Sequence, residues 1–200
     1  MRYFGPALVL IAITLFQAPT AQAAPITLAA TLSGAAENPP SGSPGIGQAT
    51  AVLDPAANTL KLHISFSGLT SDTMAAHIHC CIPAPQPGNF VVATTVPAFP
   101  GFPLDVTSGI YDHTLDLTDP SSYRAGFITA IGGIANAEAA LIAALESGAN
   151  YLNIHTVDFP GGEIRGALVP VPEPASLALL GTALAGLLLA GTIRGTRYSA

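Results

Sequence analysis

The sequence predicts an all-β domain of sandwich or barrel type carrying one short helix, and three observations support that class. Residues 60–66 alternate strictly, Leu60, Leu62, Ile64 and Phe66 against Lys61, His63 and Ser65, which is the period of two of a strand with one buried face. Residues 108–117 alternate again, with Tyr111, His113, Leu115 and Leu117 on one side and Asp112, Thr114 and Asp116 on the other. Gly and Pro, 20 and 18 of the 200 residues, cut the chain into many short segments at close spacing.

Taken in order, residues 26–34 form a short apolar strand, and residues 37–45, Glu-Asn-Pro-Pro-Ser-Gly-Ser-Pro-Gly, form a loop. Residues 46–54 are the second strand. Asp54-Pro55-Ala56-Ala57-Asn58 then turns the chain, because proline presets one backbone angle and Asn58 tolerates a left-handed one. The alternating strand at 60–66 leaves His63 on its wet face. Residues 75–80 are a further strand, and three prolines make 82–88 irregular. Residues 90–95 are extended. The Pro/Phe/Gly loop at 97–103 must drape over the core, since its phenylalanines need apolar surroundings. One helix is expected, with Asn136 as its cap, Glu138 near the positive end of its dipole, strong helix formers from 139 to 146, and Gly148 as its stop. Residues 151–156 and 163–169 close the chain as strands around the turn at 158–162.

The two ends differ from this middle. Arg2 is followed by an apolar run at 7–16 and by Ala21-Gln22-Ala23, the small-x-small site of a signal peptidase, so residues 1–23 read as a cleaved signal peptide. At the other end Val171-Pro172-Glu173-Pro174 precedes an uncharged stretch at 175–193, and Arg194 and Arg197 follow it. Nineteen apolar or small residues at helical rise cover close to the ~30 Å of a bilayer's hydrocarbon, so 175–193 reads as a transmembrane helix with the arginines on the cytoplasmic side. This order over residues 171–200 resembles the PEP-CTERM sorting signal of Gram-negative bacteria. The resemblance implies recognition by an exosortase, a transient inner-membrane anchor, and delivery to the cell surface or beyond.

Residues 24–170 then form the exported domain. Lys61, Arg124 and Arg165 stand there against eleven acids, a balance of −8. Phosphate and anionic lipid need a basic face, so nucleic acid is excluded as a partner.

His77-Ile78-His79-Cys80-Cys81 places four metal-competent side chains within five residues, and Tyr151-Leu152-Asn153-Ile154-His155-Thr156 carries another strand histidine. On a strand His77 and His79 share one face, ~6.5–7 Å apart, as do Asn153 and His155. Three imidazoles suit copper or zinc, with Glu163 across the hairpin to fix a tautomer and Asn153 beside His155 in support. The same residues can instead form a hydrogen-bonded seam that sets strand register. Cys80 and Cys81 can form a vicinal disulfide, supply a thiolate ligand or stay inert, and the sequence leaves all three open.

Ala76-His77-Ile78-His79, residues 151–156, Gly161-Gly162-Glu163-Ile164-Arg165-Gly166 and the early Leu32-to-Pro40 stretch together resemble the CHRD domain over residues 26–169. The resemblance implies an immunoglobulin-like Greek-key β-sandwich in an extracellular setting and no established reaction. Cys80-Cys81 and the proline-rich insert depart from the glycine-rich stretch expected after the histidines. The His-x-His strand with a distant histidine is also similar to the metal site of copper/zinc superoxide dismutase. No serine elbow, phosphate-binding loop or dinucleotide glycine pattern is present, so the reading leans away from an enzyme. The first expectation is a non-enzymatic surface or matrix component that binds exopolysaccharide or envelope proteins. A copper- or zinc-binding extracytoplasmic protein and a metal-dependent redox enzyme are the alternatives.

Overall fold

The computed structural model describes residues 23–172. The signal peptide expected at 1–23 (apart from Ala23), the helix expected at 175–193, and Glu173, Pro174, Arg194 and Arg197 lie outside the described residues.

Among the described residues nine strands and two α-helices follow one another as β1 (Ile26–Ser33), β2 (Ile46–Asp54), β3 (Thr59–Ser67), β4 (Thr73–Pro83), β5 (Phe90–Val92), β6 (Gly109–Asp116), α1 (Ala125–Ile131), α2 (Ile134–Ser147), β7 (Asn150–Thr156), β8 (Ile164–Gly166) and β9 (Val169–Pro170). The domain is all-β in character, as expected. The strands join into one continuous antiparallel path, β5-β4-β7-β8-β1-β2-β3-β6, with β9 beside β1. Its two halves meet through the single register pair Ser33↔Arg165 between β1 and β8. At that junction a Cβ on Gly166 would collide with the Thr31 carbonyl oxygen, which is why the last residue of the Glu-Ile-Arg-Gly stretch is glycine.

The alternation that predicts β3 also sets the core. Leu60, Leu62, Ile64 and Phe66 are buried and join Leu28, Leu53 and Leu115 of the neighbouring strands. From the other half, Ala76, Ile78 and Cys80 of β4 and Leu152 and Ile154 of β7 enter the same cluster. Phe99 and Phe102 of the Pro/Phe/Gly loop are buried in it, as the composition of that loop requires. The turn after β2 also forms as expected, with Asp54 Oδ1 accepting from the Ala56 and Ala57 N–H groups and Asn58 at φ 54.

Two helices stand where the sequence predicts one. Glu138 lies beyond the first turn of α2, and Asn136 does not cap it: the helix starts two residues earlier, behind Gly133. The Asn136 amide instead donates to the Ile131 and Gly132 carbonyls at the end of α1. Gly148 ends α2 in a left-handed conformation, as predicted. Phe127, Leu141 and Leu145 bury the helices against the core. Among the described residues no single helix is long and apolar enough to cross a membrane.

Asn150 ties the helical segment to the strand that follows. Its Nδ2 donates to the Ala144 and Leu168 carbonyls, its Oδ1 accepts from the Leu168 N–H, and it is buried. Asn150→Ala leaves those three backbone groups unsatisfied, at about 1–3 kcal/mol for a buried orphan. Chemical denaturation is expected to show a loss of about 2–3 kcal/mol in this variant, with an unchanged slope.

Candidate metal centre

β4 and β7 pair antiparallel with His77 opposite Asn153, His79 opposite Tyr151 and Ala75 opposite His155. Because strand side chains alternate, the even-numbered residues of this pair fill the core, and His77, His79, Tyr151, Asn153 and His155 project from the other face. A face of that polarity is normally wet. Here loops cover it, and the three histidines are only 6–8% exposed and Asn153 2%.

The neighbouring strand β5 and the loop after β7 orient the rings. His79 Nδ1 lies 2.8 Å from the Phe90 carbonyl oxygen and His155 Nδ1 3.0 Å from that of Pro160. A carbonyl can only accept, so each ring carries its proton on Nδ1 and keeps a lone pair on Nε2. What remains is His77 Nδ1, His79 Nε2 and His155 Nε2, all buried and without a hydrogen-bond partner. The ligand atoms of the three residues lie within 4.8 Å of one another. Zinc sits about 2 Å from an imidazole nitrogen, so tetrahedral ligands stand about 3.3 Å apart and the trio must close by up to about 1.5 Å on binding.

Burial keeps these rings neutral. Loss of solvation, then the neighbouring His155 and His79, pushes His77 down to about 3. Loss of solvation pushes His79 down to about 4 and holds His155 below its ordinary value. Neutral imidazoles at neutral pH are ready to ligate without releasing protons.

Two supports of this face were not legible in the sequence. Glu37, in the loop after β1, accepts from Asn153 Nδ2 at 3.2 and 3.3 Å and pairs with Arg165 at 3.8 Å. Burial pushes its carboxyl up to about 7, against the opposing pull of Arg165 and Asn153. Tyr151 stacks on His79 with 4.5 Å between ring centres, and the Arg165 guanidinium lies 4.5 Å over the tyrosine.

Glu163 behaves differently from expectation, and the cysteines take one of the three courses the sequence leaves open. Glu163 touches no imidazole. It is fully buried and accepts from Ser43 Oγ, the Thr70 N–H, Thr70 Oγ1 and Thr156 Oγ1, so backbone carbonyls, not this carboxylate, fix the ring tautomers. Cys80 and Cys81 are bonded to each other, with Cα atoms 3.7 Å apart, and neither is a thiolate donor. Alternation sends Cys80 into the core, while Cys81 adopts φ 72 at the irregularity between His79 and Pro83. The Cys81 sulfur rests 3.3 Å from the Ala140 carbonyl oxygen of α2. His63, as expected, stays on the wet face, where it meets Asp112 at 2.8 Å.

The ring environment gives stability of the metal-free chain a definite pH dependence. The histidines titrate lower folded than unfolded, so their contribution is complete above about 6.5 and is lost as pH falls toward 4 and then 3. Glu37 has the opposite sign: its folded value is raised from 4.5 to about 7, so its contribution is lost as pH rises through that window. Glu37→Gln removes the counterweight. Between about pH 7 and 5, the urea midpoint of that variant is expected to fall more steeply on acidification than the parent's.

Residues 170–194 match the family model of the PEP-CTERM protein-sorting motif. That motif implies processing by an exosortase, and export with membrane-anchored sorting to the cell surface. Neither a curated protein nor a solved structure matches the chain. Residues 28–168 match the model of the CHRD domain, which spans every element of the site, and the chain belongs to the CHRD domain family.

Proposed function

We propose that the outer face of β4 and β7 is a metal-holding site, and that the protein is a surface-sorted CHRD protein binding copper or zinc through His77, His79 and His155. The observation that carries this is the trio of buried histidines from two strands whose ligand atoms lie within 4.8 Å of one another, each ring keeping one buried nitrogen that bonds to nothing else. A hydrogen-bonded seam would spend those atoms on one another. Buried unpaired acceptors cost about 1–3 kcal/mol each, and a bound cation removes that cost. Three imidazoles suit zinc and copper, and bound metal would supply Lewis acidity or, with copper, one-electron chemistry.

The role we assign is non-enzymatic: a component of the cell surface or exopolysaccharide matrix that holds a metal ion among envelope polymers. The signal peptide and the anchoring helix of residues 175–193 belong to the same proposal. So does the description of the two half-sheets as an immunoglobulin-like Greek-key sandwich hinged at Ser33 and Arg165. The test is elemental analysis of the full chain, purified in detergent after dialysis against zinc or copper. One equivalent per chain, absent from His155→Ala, is the expected result. Equal metal content in the two proteins would remove the site.

A further inference from the structure

Four buried side-chain atoms among the described residues lack a hydrogen-bond partner, and all four lie on the same face of β4 and β7. Three are the ring nitrogens just described. The fourth is Asn153 Oδ1, on the residue that pairs with His77 across the strands and sits one side-chain repeat from His155. Resting on the metal reading above, we infer that Asn153 Oδ1 is a fourth donor, so that the centre is a closed set of three imidazoles and one carboxamide oxygen.

The orientation of the amide supports this assignment. Asn153 Nδ2 is committed to both oxygens of the Glu37 carboxyl group. Turning the amide over would set its oxygen against those oxygens, so Glu37 fixes Oδ1 as the free lone-pair donor. Arg165 in turn holds Glu37: its Nε donates to the Ala36 carbonyl and its Nη1 to Asn89, 3.8 Å from the carboxylate at its nearest. The loop after β7 shuts this pair in. Gly162 has φ +125, and a Cβ there would stand 2.5 Å from Asn153 Nδ2 and 2.8 Å from both Asn153 Oδ1 and Glu37 Oε1. Only glycine lets the backbone pass so close, and a buried amide oxygen with no donor near it is satisfied by a cation.

The donor set has a functional consequence. A fourth protein ligand removes the open position that a catalytic metal keeps for water or substrate. The centre therefore holds a divalent ion. A hard oxygen beside three imidazoles selects zinc or Cu(II) over Cu(I).

The test uses the full chain in detergent, titrated with Co(II) as a spectroscopic stand-in for zinc. The parent is expected to give the intense visible bands of a four-coordinate ion, and Asn153→Ala to lose about 10- to 100-fold in affinity with weaker, shifted bands. A second measurement needs no variant: the Cu(II)-loaded parent, in water enriched in the magnetic oxygen isotope, should show no strong coupling from a bound water. If Asn153→Ala binds Co(II) as the parent does, with the same spectrum, or if a bound water couples strongly to Cu(II), the fourth-donor assignment is overturned while the three-histidine site stands. If the parent binds neither ion, both readings fall together.

Discussion

The double variant His77→Ala/His79→Ala is expected to lose metal binding by at least about a thousandfold. It removes two of three imidazoles from one strand and leaves the His155 ring alone, and one neutral imidazole does not hold an ion against solvent. The apo protein is expected to lose some stability, because both rings are buried and His79 donates to the Phe90 carbonyl and stacks on Tyr151, but the core face of β4, made by Ala76, Ile78 and Cys80, is untouched. The readout is the metal-induced rise in unfolding temperature. An ion present at 100 times its dissociation constant stabilises a folded chain by about 2.7 kcal/mol, and that increment should vanish in the variant. A variant that keeps the same rise would show that the ion binds elsewhere.

The second large effect is structural and lies just beside the site. Glu163→Ala is expected to cost about 3–5 kcal/mol, because it strands several donors at about 1–3 kcal/mol for each buried one and opens a cavity. Its carboxylate gathers donors from residues 43 and 70 and from Thr156 of β7, and its own carbonyl accepts from Ser41 Oγ. No Lys or Arg pairs with it among the described residues. Alanine leaves a backbone N–H and three hydroxyls facing a cavity. Glu163→Gln keeps the volume and one acceptor oxygen but aims an NH2 group at donors, so an intermediate loss is expected. Urea midpoints measure both. A loss under about 1 kcal/mol for the alanine variant would show that the loops at residues 43 and 70 are held by other contacts.

What the sequence makes legible is what depends on local pattern. The period of two in Leu60 to Phe66 gives β3 and its buried face. Asp54-Pro55 and Asn58 give the following turn, and Gly148 gives a helix end. The third histidine could also be reached this way, because alternation puts Asn153 and His155 on one face. Elements without such a pattern escape. The α1 sequence Ala-Gly-Phe-Ile-Thr-Ala-Ile has no side-chain cap at Arg124 and several β-branched residues, so nothing local marks it as a helix. Asn136 looked like an N-cap by residue type, yet its amide serves the end of the preceding helix.

The surroundings of the site were hidden for a different reason. Glu37 and Asn153 are 116 residues apart, and their pairing depends on the path of a proline-rich loop that no periodicity describes. The groups that set the ring tautomers are the carbonyls of Phe90 and Pro160, and backbone atoms leave no trace in residue type. Residue type pointed to Glu163 as the orienting carboxylate because it is an acid near the hairpin. The fold turns that side chain toward Ser43, Thr70 and Thr156 and brings Glu37 to the histidine face in its place.

The most direct measurement is X-ray absorption at the metal edge of the zinc-loaded full chain. Three imidazoles on one ion give a characteristic set of outer-shell scattering features, and that signature is expected at one zinc per chain. A zinc shell with one imidazole or none would contradict it.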